Sequence, residues 1–387
     1  MASSQEVLAS RHDAAAGPRQ RERWADNLRV LVIAVVVVFH TAVAYLGNTA
    51  GDWYYMDRTT SKVWSTAFAP AAVISVYALG PLFLVAGWFS ARSLAHKGAG
   101  TFARSRLLRL GIPLIVFIFL IDRIAAYLGD LGRDEHPTLS RYWGVPPQSG
   151  GPYEVGSLWF VAALLAFSLA YALLRRMRPL PVARRWSGAQ VMVAAALLIA
   201  VAVALLWQRW QLGDAHTFMK MQLGEWPQGA ALFALGVWAG ESGSLENLTA
   251  WARRLGWTAM AAAALWAALG VYLETTGHVE SAFHGMGWLV IVNVLLYGII
   301  SVAFTVWFIA LIRARWSGGG PLLARAGRAS YAAYVLHSLV LTAVMVAFAS
   351  LALAPQLAFL AVAVVAVPAC FLAGYAATRV PGISRAL

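Results

Sequence analysis

The 387-residue chain predicts an all-α polytopic membrane protein, with about ten transmembrane helices and both termini in the cytoplasm. Three observations lead there. Hydrophobic residues make up 60% of the chain and charged residues only 12%, whereas soluble domains are roughly half apolar and a quarter charged. Apolar runs of roughly 20 residues, the length a helix needs to cross a bilayer, recur throughout. The connecting segments also alternate in charge. Composition thus excludes a soluble enzyme, a disordered chain and a disulfide scaffold. The single Cys370 rules out an intramolecular disulfide and any multi-cysteine metal site, and no metal is expected.

Residues 1–22 are polar and aperiodic and read as a disordered cytoplasmic tail. Residues 23–387 read as one transmembrane domain with no fused soluble domain. The first apolar run, 28–46, lacks a small-residue cleavage site after it, which makes it a signal-anchor span rather than a cleaved signal peptide. Further runs lie at about 64–90, 107–128, 156–174, 189–208, 228–240, 255–273, 287–312, 329–350 and 355–378. The sixth is short. The second and eighth are long enough to tilt or kink, and Pro70 and Pro81 are candidates for a kink in the second.

Charge tests the count independently. Ten spans with a cytoplasmic start place 23 of the 30 Lys and Arg on inside segments and 11 of the 17 Asp and Glu on outside ones. Moving one span would scramble this pattern. The net charge of +13 therefore reports orientation in a cell inner (plasma) membrane, and is no nucleic-acid signature.

Some residues should not lie in hydrocarbon without a reason. Arg29 and His40 flank the apolar stretch 30–39. Eleven residues turn a helix by about 1,100°, within about 20° of three turns, so both side chains share one stripe. An ionisable group at depth faces a cavity or a partner, although an interhelical hydrogen bond, the plainer reading, accounts for an intramembrane histidine equally well. Arg104, Arg106 and Arg109 crowd the entrance to the third span. Guanidinium forks suit phosphate, while from spacing alone inside-positive topology is the plainer account. Gly87, within the second span, suits a close helix approach. Glu154 precedes Ser157-Leu158-Trp159-Phe160 at the outer edge of the fourth span, and Ser330, Tyr334 and His337 lie along the ninth. A structural hydrogen bond is again the plainer reading of His337.

In this order the motifs resemble the membrane-bound acyltransferase-3 family over nearly the whole chain, from Trp24 to about Val344. That family has about ten spans and an Arg/Lys–ten residues–His pattern in the first, matched here by Arg29 and His40. Its Arg-rich entrance to the third span is matched by Arg104, Arg106 and Arg109, and its Leu-Trp-Phe start to the fourth by Leu158-Trp159-Phe160. Its late Ser-x-x-x-Tyr-x-x-His motif is matched by Ser330, Tyr334 and His337. The stretch 224–240 is similar to the family's short middle span. The opening Asp26-Asn27-Leu28-Arg29, the run ending at Pro113 and Glu154 are most similar to the glucan-modifying subtype, which succinylates periplasmic glucans. Where that group has His-His-Pro, this chain has His337-Ser338-Leu339.

The resemblance implies transfer of an acyl group from cytosolic acyl-CoA to a hydroxyl of a carbohydrate or glycosylated acceptor, with acyl-CoA as a donor substrate and no tightly bound cofactor. A hydroxyl needs a base within hydrogen-bond reach, and a partly buried neutral histidine serves; His40 is the expected base. Arg29, Arg104, Arg106 and Arg109 are expected to hold the phosphates and pantetheine arm of CoA. Glu154 and His337 are expected to line the acceptor side or to orient His40. Both direct transfer and a covalent acyl-histidine remain open. The alternative from another class is a secondary transporter or a glycan or lipid flippase, which would also bury ionisable groups but often shows two-fold internal repeats. Arg29 and His40 have no counterpart near residues 200–240.

Overall fold

The computed structural model describes residues 22–46, 53–55, 77–133, 138–143, 153–177, 186–209, 219–243, 245–285 and 287–382. Ten long helical segments follow one another there. They are α1 (Arg23–Leu46), α2 (Gly80–Lys97), α3 (99–131), α4 (Trp159–Met177), α5 (Gly188–Arg209), α6 (Trp226–Ser242), α7 (Ala252–Thr276), α8 (Trp288–Arg315), α9 (Pro321–Ala349) and α10 (Pro355–Ala377). They match the ten apolar runs in order. Seven, namely α1, α4, α5 and α7 to α10, are by themselves long and apolar enough to cross a membrane. No strand occurs among the described residues. The protein is an all-α polytopic membrane protein. All but the last residue of the 1–22 tail, the first part of the second run (64–76) and Pro70 lie outside the described residues.

Local chemistry sets the helix ends. Pro81, Pro227, Pro321 and Pro355 each stand in the first turn of a helix, where the missing N–H costs no bond. Pro81 starts α2, and a turn at Leu79 parts that helix from the helical residues 77 and 78 just before it. The long eighth run forms one continuous helix of 28 residues. The third segment is irregular too: π-helical stretches Leu107–Gly111 and Phe117–Ile121 interrupt the α-helix. Pro113 deprives the Arg109 carbonyl, four residues earlier, of its helical partner. The Tyr331 hydroxyl of α9 donates to that carbonyl at 2.8 Å, so the break in α3 becomes a tie to α9.

Lipid-facing surfaces are apolar rows. On α5, Val193, Leu197, Val201 and Leu205 recur every four residues and are all exposed, which places them on one face turned to hydrocarbon. Inside, α2 and α6 form the closest pair. A Cβ on Gly236 would lie 1.9 Å from the Leu84 carbonyl oxygen, and one on Gly87 would lie 2.0 Å from that of Phe233. Only glycine lets the two backbones touch. Around them, α8 packs against α5 and α7, while α1 packs against α9 and α10, and α3 against α9. The Asn27 amide secures the start of α1 by donating to the carbonyls of Trp316 (2.5 Å) and Gly318 (2.9 Å) in the turn before α9.

Candidate functional site

The α1–α9 contact brings two sequence-distant histidines together. His40 of α1 and His337 of α9 have ring centroids 5.2 Å apart. His337 is fully buried and His40 half-buried. On α9, Ser330, Tyr334 and His337 recur at spacings of four and three, on one helix face. The Tyr334 ring stacks on His337 with centroids 5.3 Å apart and an interplanar angle of 11°. Its hydroxyl donates to the Ser157 carbonyl at 2.7 Å, joining α9 to the turn that opens α4. His337 Nδ1 contacts the Tyr334 carbonyl oxygen at 2.5 Å. A carbonyl only accepts, so Nδ1 carries the hydrogen and Nε2 keeps its lone pair. That Nε2 is buried without a partner. His40 Nδ1 is likewise buried without a partner, so each ring of the pair keeps one nitrogen free of protein hydrogen bonds.

A third ring covers the pair. Trp53 stacks on His40 with centroids 4.3 Å apart and lies 6.1 Å from His337. Its neighbour Tyr54 donates its hydroxyl to Asp122 Oδ1 at 2.5 Å. Asp122 pairs through Oδ2 with Arg123 at 2.5 Å, and both side chains are buried inside α3. The Arg123 guanidinium also sits 5.3 Å from the Tyr153 ring centroid. Glu154, 9% exposed, forms an ion pair with Lys220 at 2.8 Å. The segment 219–225 thereby closes over the start of α4, and the Val155 N–H donates to the Met219 carbonyl at 2.9 Å.

The cations gather towards the other end of α1. Arg29 pairs with Asp26 at 2.9 Å and reaches the Phe89 ring of α2. Arg106, on the entrance helix ahead of the apolar run of α3, donates to Ser90 Oγ at 3.0 Å. Burial, then the charges of Arg109 and Arg29, push its pKa down to about 10, so it stays charged near neutral pH. Arg29, Arg106 and Arg109 thus share one electropositive mouth. Arg104 and Arg109 are exposed, and Arg104 is not among the charges acting on Arg106.

Four residues of this neighbourhood escaped the sequence reading: Trp53, Tyr54, Asp122 and Arg123. The acid–base pair Asp122-Arg123 inside an apolar run was a visible signal, because charges at that depth need a partner or a cavity. Trp53 and Tyr54 carried none, since their contacts join residues far apart in the chain. Among the described residues no three His, Cys, Asp or Glu side chains come together in a way that could hold a metal ion.

Comparison with known proteins follows the same lines. Residues 22–375 match the family described as an acyltransferase domain, the acyltransferase-3 family. Over 104 residues the chain is 25% identical to glucans biosynthesis protein C of Escherichia coli K12, and equally to that of Shigella dysenteriae serotype 1. The match covers 27% of this chain and 26% of each relative, so it spans about a quarter of their length. No solved structure matches the chain. With a family match running from the start of α1 nearly to the end of α10, the chain belongs to the acyltransferase-3 family of membrane proteins.

Proposed function

We propose that this membrane acyltransferase moves an acyl group from cytosolic acyl-CoA to a hydroxyl of a carbohydrate or glycosylated acceptor, with His40 as the general base. The observation that carries the reading is the pairing of His40 and His337 at 5.2 Å in a chain of an acyltransferase family. Acyl transfer to an alcohol needs a proton acceptor beside the attacking oxygen, and an intramembrane histidine pair supplies one. The oxygen forms the new bond to the thioester carbon as the carbon–sulfur bond breaks. The hydroxyl proton passes through His40 to the leaving sulfur, and His337 orients the partner ring or lines the acceptor side.

Arg29, Arg106 and Arg109 are proposed to receive the phosphates of CoA, since guanidinium groups favour phosphate and three of them share one mouth; Arg104 contributes charge from the periphery. Glu154 lies on the acceptor side, held by Lys220. The similarity to glucans biosynthesis protein C supports a glucan as the acceptor class. The charge alternation supports cytoplasmic termini and an inner-membrane location.

The test is acyl-CoA consumption by the purified protein, followed as released thiol, with and without a glucan oligosaccharide. Acceptor-dependent thiol release that disappears in His40→Ala is the expected result. A His40→Ala protein with unmodified turnover would reject the base assignment.

A further inference from the structure

Resting on the acyl-transfer reading, we propose that Trp53 is a cap over the two histidines, held shut by a Tyr54–Asp122–Arg123 clamp, and that this cap directs the acyl group to an organic hydroxyl and away from water. Three observations carry it. The Trp53 ring lies over His40 at 4.3 Å with an interplanar angle of 26° and inclines towards His337 at 6.1 Å. Both Trp53 Nε1 and His337 Nε2 are sealed from solvent without a protein partner; buried polar atoms are rarely left so, and here they are a donor and an acceptor beside one reacting centre. The segment carrying Trp53 is tied to α3 and to the turn that follows it at several points. The Tyr54 hydroxyl donates to Asp122 Oδ1 at 2.5 Å, and Arg133 Nη1 donates to the Tyr54 carbonyl at 2.8 Å. A Cβ on Gly129 would lie 2.2 Å from that same carbonyl oxygen, so α3 gives up a side chain to let the segment approach.

The buried Asp122–Arg123 pair fits this role better than a stabilising one. Removing two charges from water is costly, and a buried pair seldom adds net stability over an apolar pair of like volume. Here its carboxylate spends its second oxygen on Tyr54, the residue next to the cap. Asp122 and Tyr54 are positioning residues that act through Trp53.

Water and the acceptor compete for the same thioester carbon. In either reaction an oxygen–carbon bond forms, the carbon–sulfur bond breaks and the proton of the attacking O–H passes through His40 to sulfur. Attack by water yields a carboxylic acid and CoA; attack by the acceptor yields an ester and CoA. A cap that leaves no room for free water at the histidines suppresses the first outcome.

The experiment measures both fates in the full-length protein, using acetyl-CoA and succinyl-CoA as donor probes and a glucan oligosaccharide as the acceptor probe. Thiol release without acceptor reports hydrolysis; ester formed on the oligosaccharide reports transfer. In Trp53→Ala the ratio of hydrolysis to transfer is expected to rise about tenfold, and in Tyr54→Phe, which removes one hydroxyl and leaves the ring, several-fold. Trp53→Phe keeps an aromatic cover and should restore most of the unmodified ratio. His40→Ala should lose both fates together. An unchanged ratio in Trp53→Ala and Tyr54→Phe, or an equal fall of both rates in each, overturns the cap while leaving the acyl-transfer reading in place. An unmodified protein that consumes neither donor overturns the functional reading and the cap with it.

Discussion

The α1–α9 contact and the α2–α6 contact are both tight helix pairs, yet they are built from opposite materials. Between α2 and α6 the closest approaches are glycine against backbone carbonyl, at Gly87 and Gly236, and the pair gains its stability from van der Waals contact. Against α1, α9 presents His337, whose ring faces His40 and whose Nε2 is buried without a protein partner. A contact that only had to hold would use small or apolar residues there. The difference separates a scaffold, which tolerates no added atom, from a site, which retains polar groups that packing does not require.

Exchanging the two kinds of residue tests this separation. The largest effect is expected at His40→Ala. Turnover should fall by about 10²–10⁴-fold, the range for a positioned general base, with the thermal midpoint in detergent near that of the unmodified protein. A midpoint that collapses along with activity would make His40 part of the scaffold. Next comes Asp122→Ala, which takes the Asp122 carboxylate from both the buried Arg123 guanidinium and the Tyr54 hydroxyl and should cost about 3–5 kcal/mol of stability, read as a lower midpoint. Gly236→Ala should destabilise by about 1–3 kcal/mol, because its Cβ meets backbone and no side chain can swing away. Activity per folded molecule should be kept at permissive temperature.

Arg29→Ala should raise the apparent KM for acyl-CoA about tenfold and leave kcat close to unchanged, in line with losing about 1.4 kcal/mol of binding. An unaltered KM would remove Arg29 from the donor mouth. The last test concerns the scaffold half. Glu225 stands just ahead of α6, bonded to the Tyr297 hydroxyl at 2.9 Å, and burial pushes its pKa up to about 7 from the ordinary 4.5. The folded state then binds its proton more tightly than the unfolded chain does. Stability should be greatest below about pH 4.5, fall as pH rises towards 7 and level off above. Glu225→Gln should flatten that slope in a midpoint-against-pH series; a slope that persists would place the titrating group elsewhere.

Local signals were legible wherever the physics is local. Arg29 and His40 could be put on one stripe because eleven residues of helix have a fixed rotation, and the ten runs emerged because a bilayer demands a length. Gly87 was recognisable as a contact point, and the structure gives it Phe233 as the neighbour. At Pro81 the second run breaks at the turn of Leu79, and the proline then stands in the first turn of α2, where it costs that helix no bond. A further irregularity lies around Pro113, where the freed Arg109 carbonyl is met by Tyr331, 222 residues away.

What the sequence by itself determined is therefore the class of the molecule, the order of the long helices among the described residues, and the residues whose burial in a membrane needs a reason. Each follows from a period, a length or the cost of placing a charge in hydrocarbon, and all three act within one segment. Only the tertiary structure decided which of those residues meet. His40 and His337 are 297 positions apart in the chain, and Trp53 comes to cover them because Tyr54 finds Asp122 on a different helix. Contacts of that kind depend on how ten helices pack together, and no helix carries its neighbours in its own periodicity.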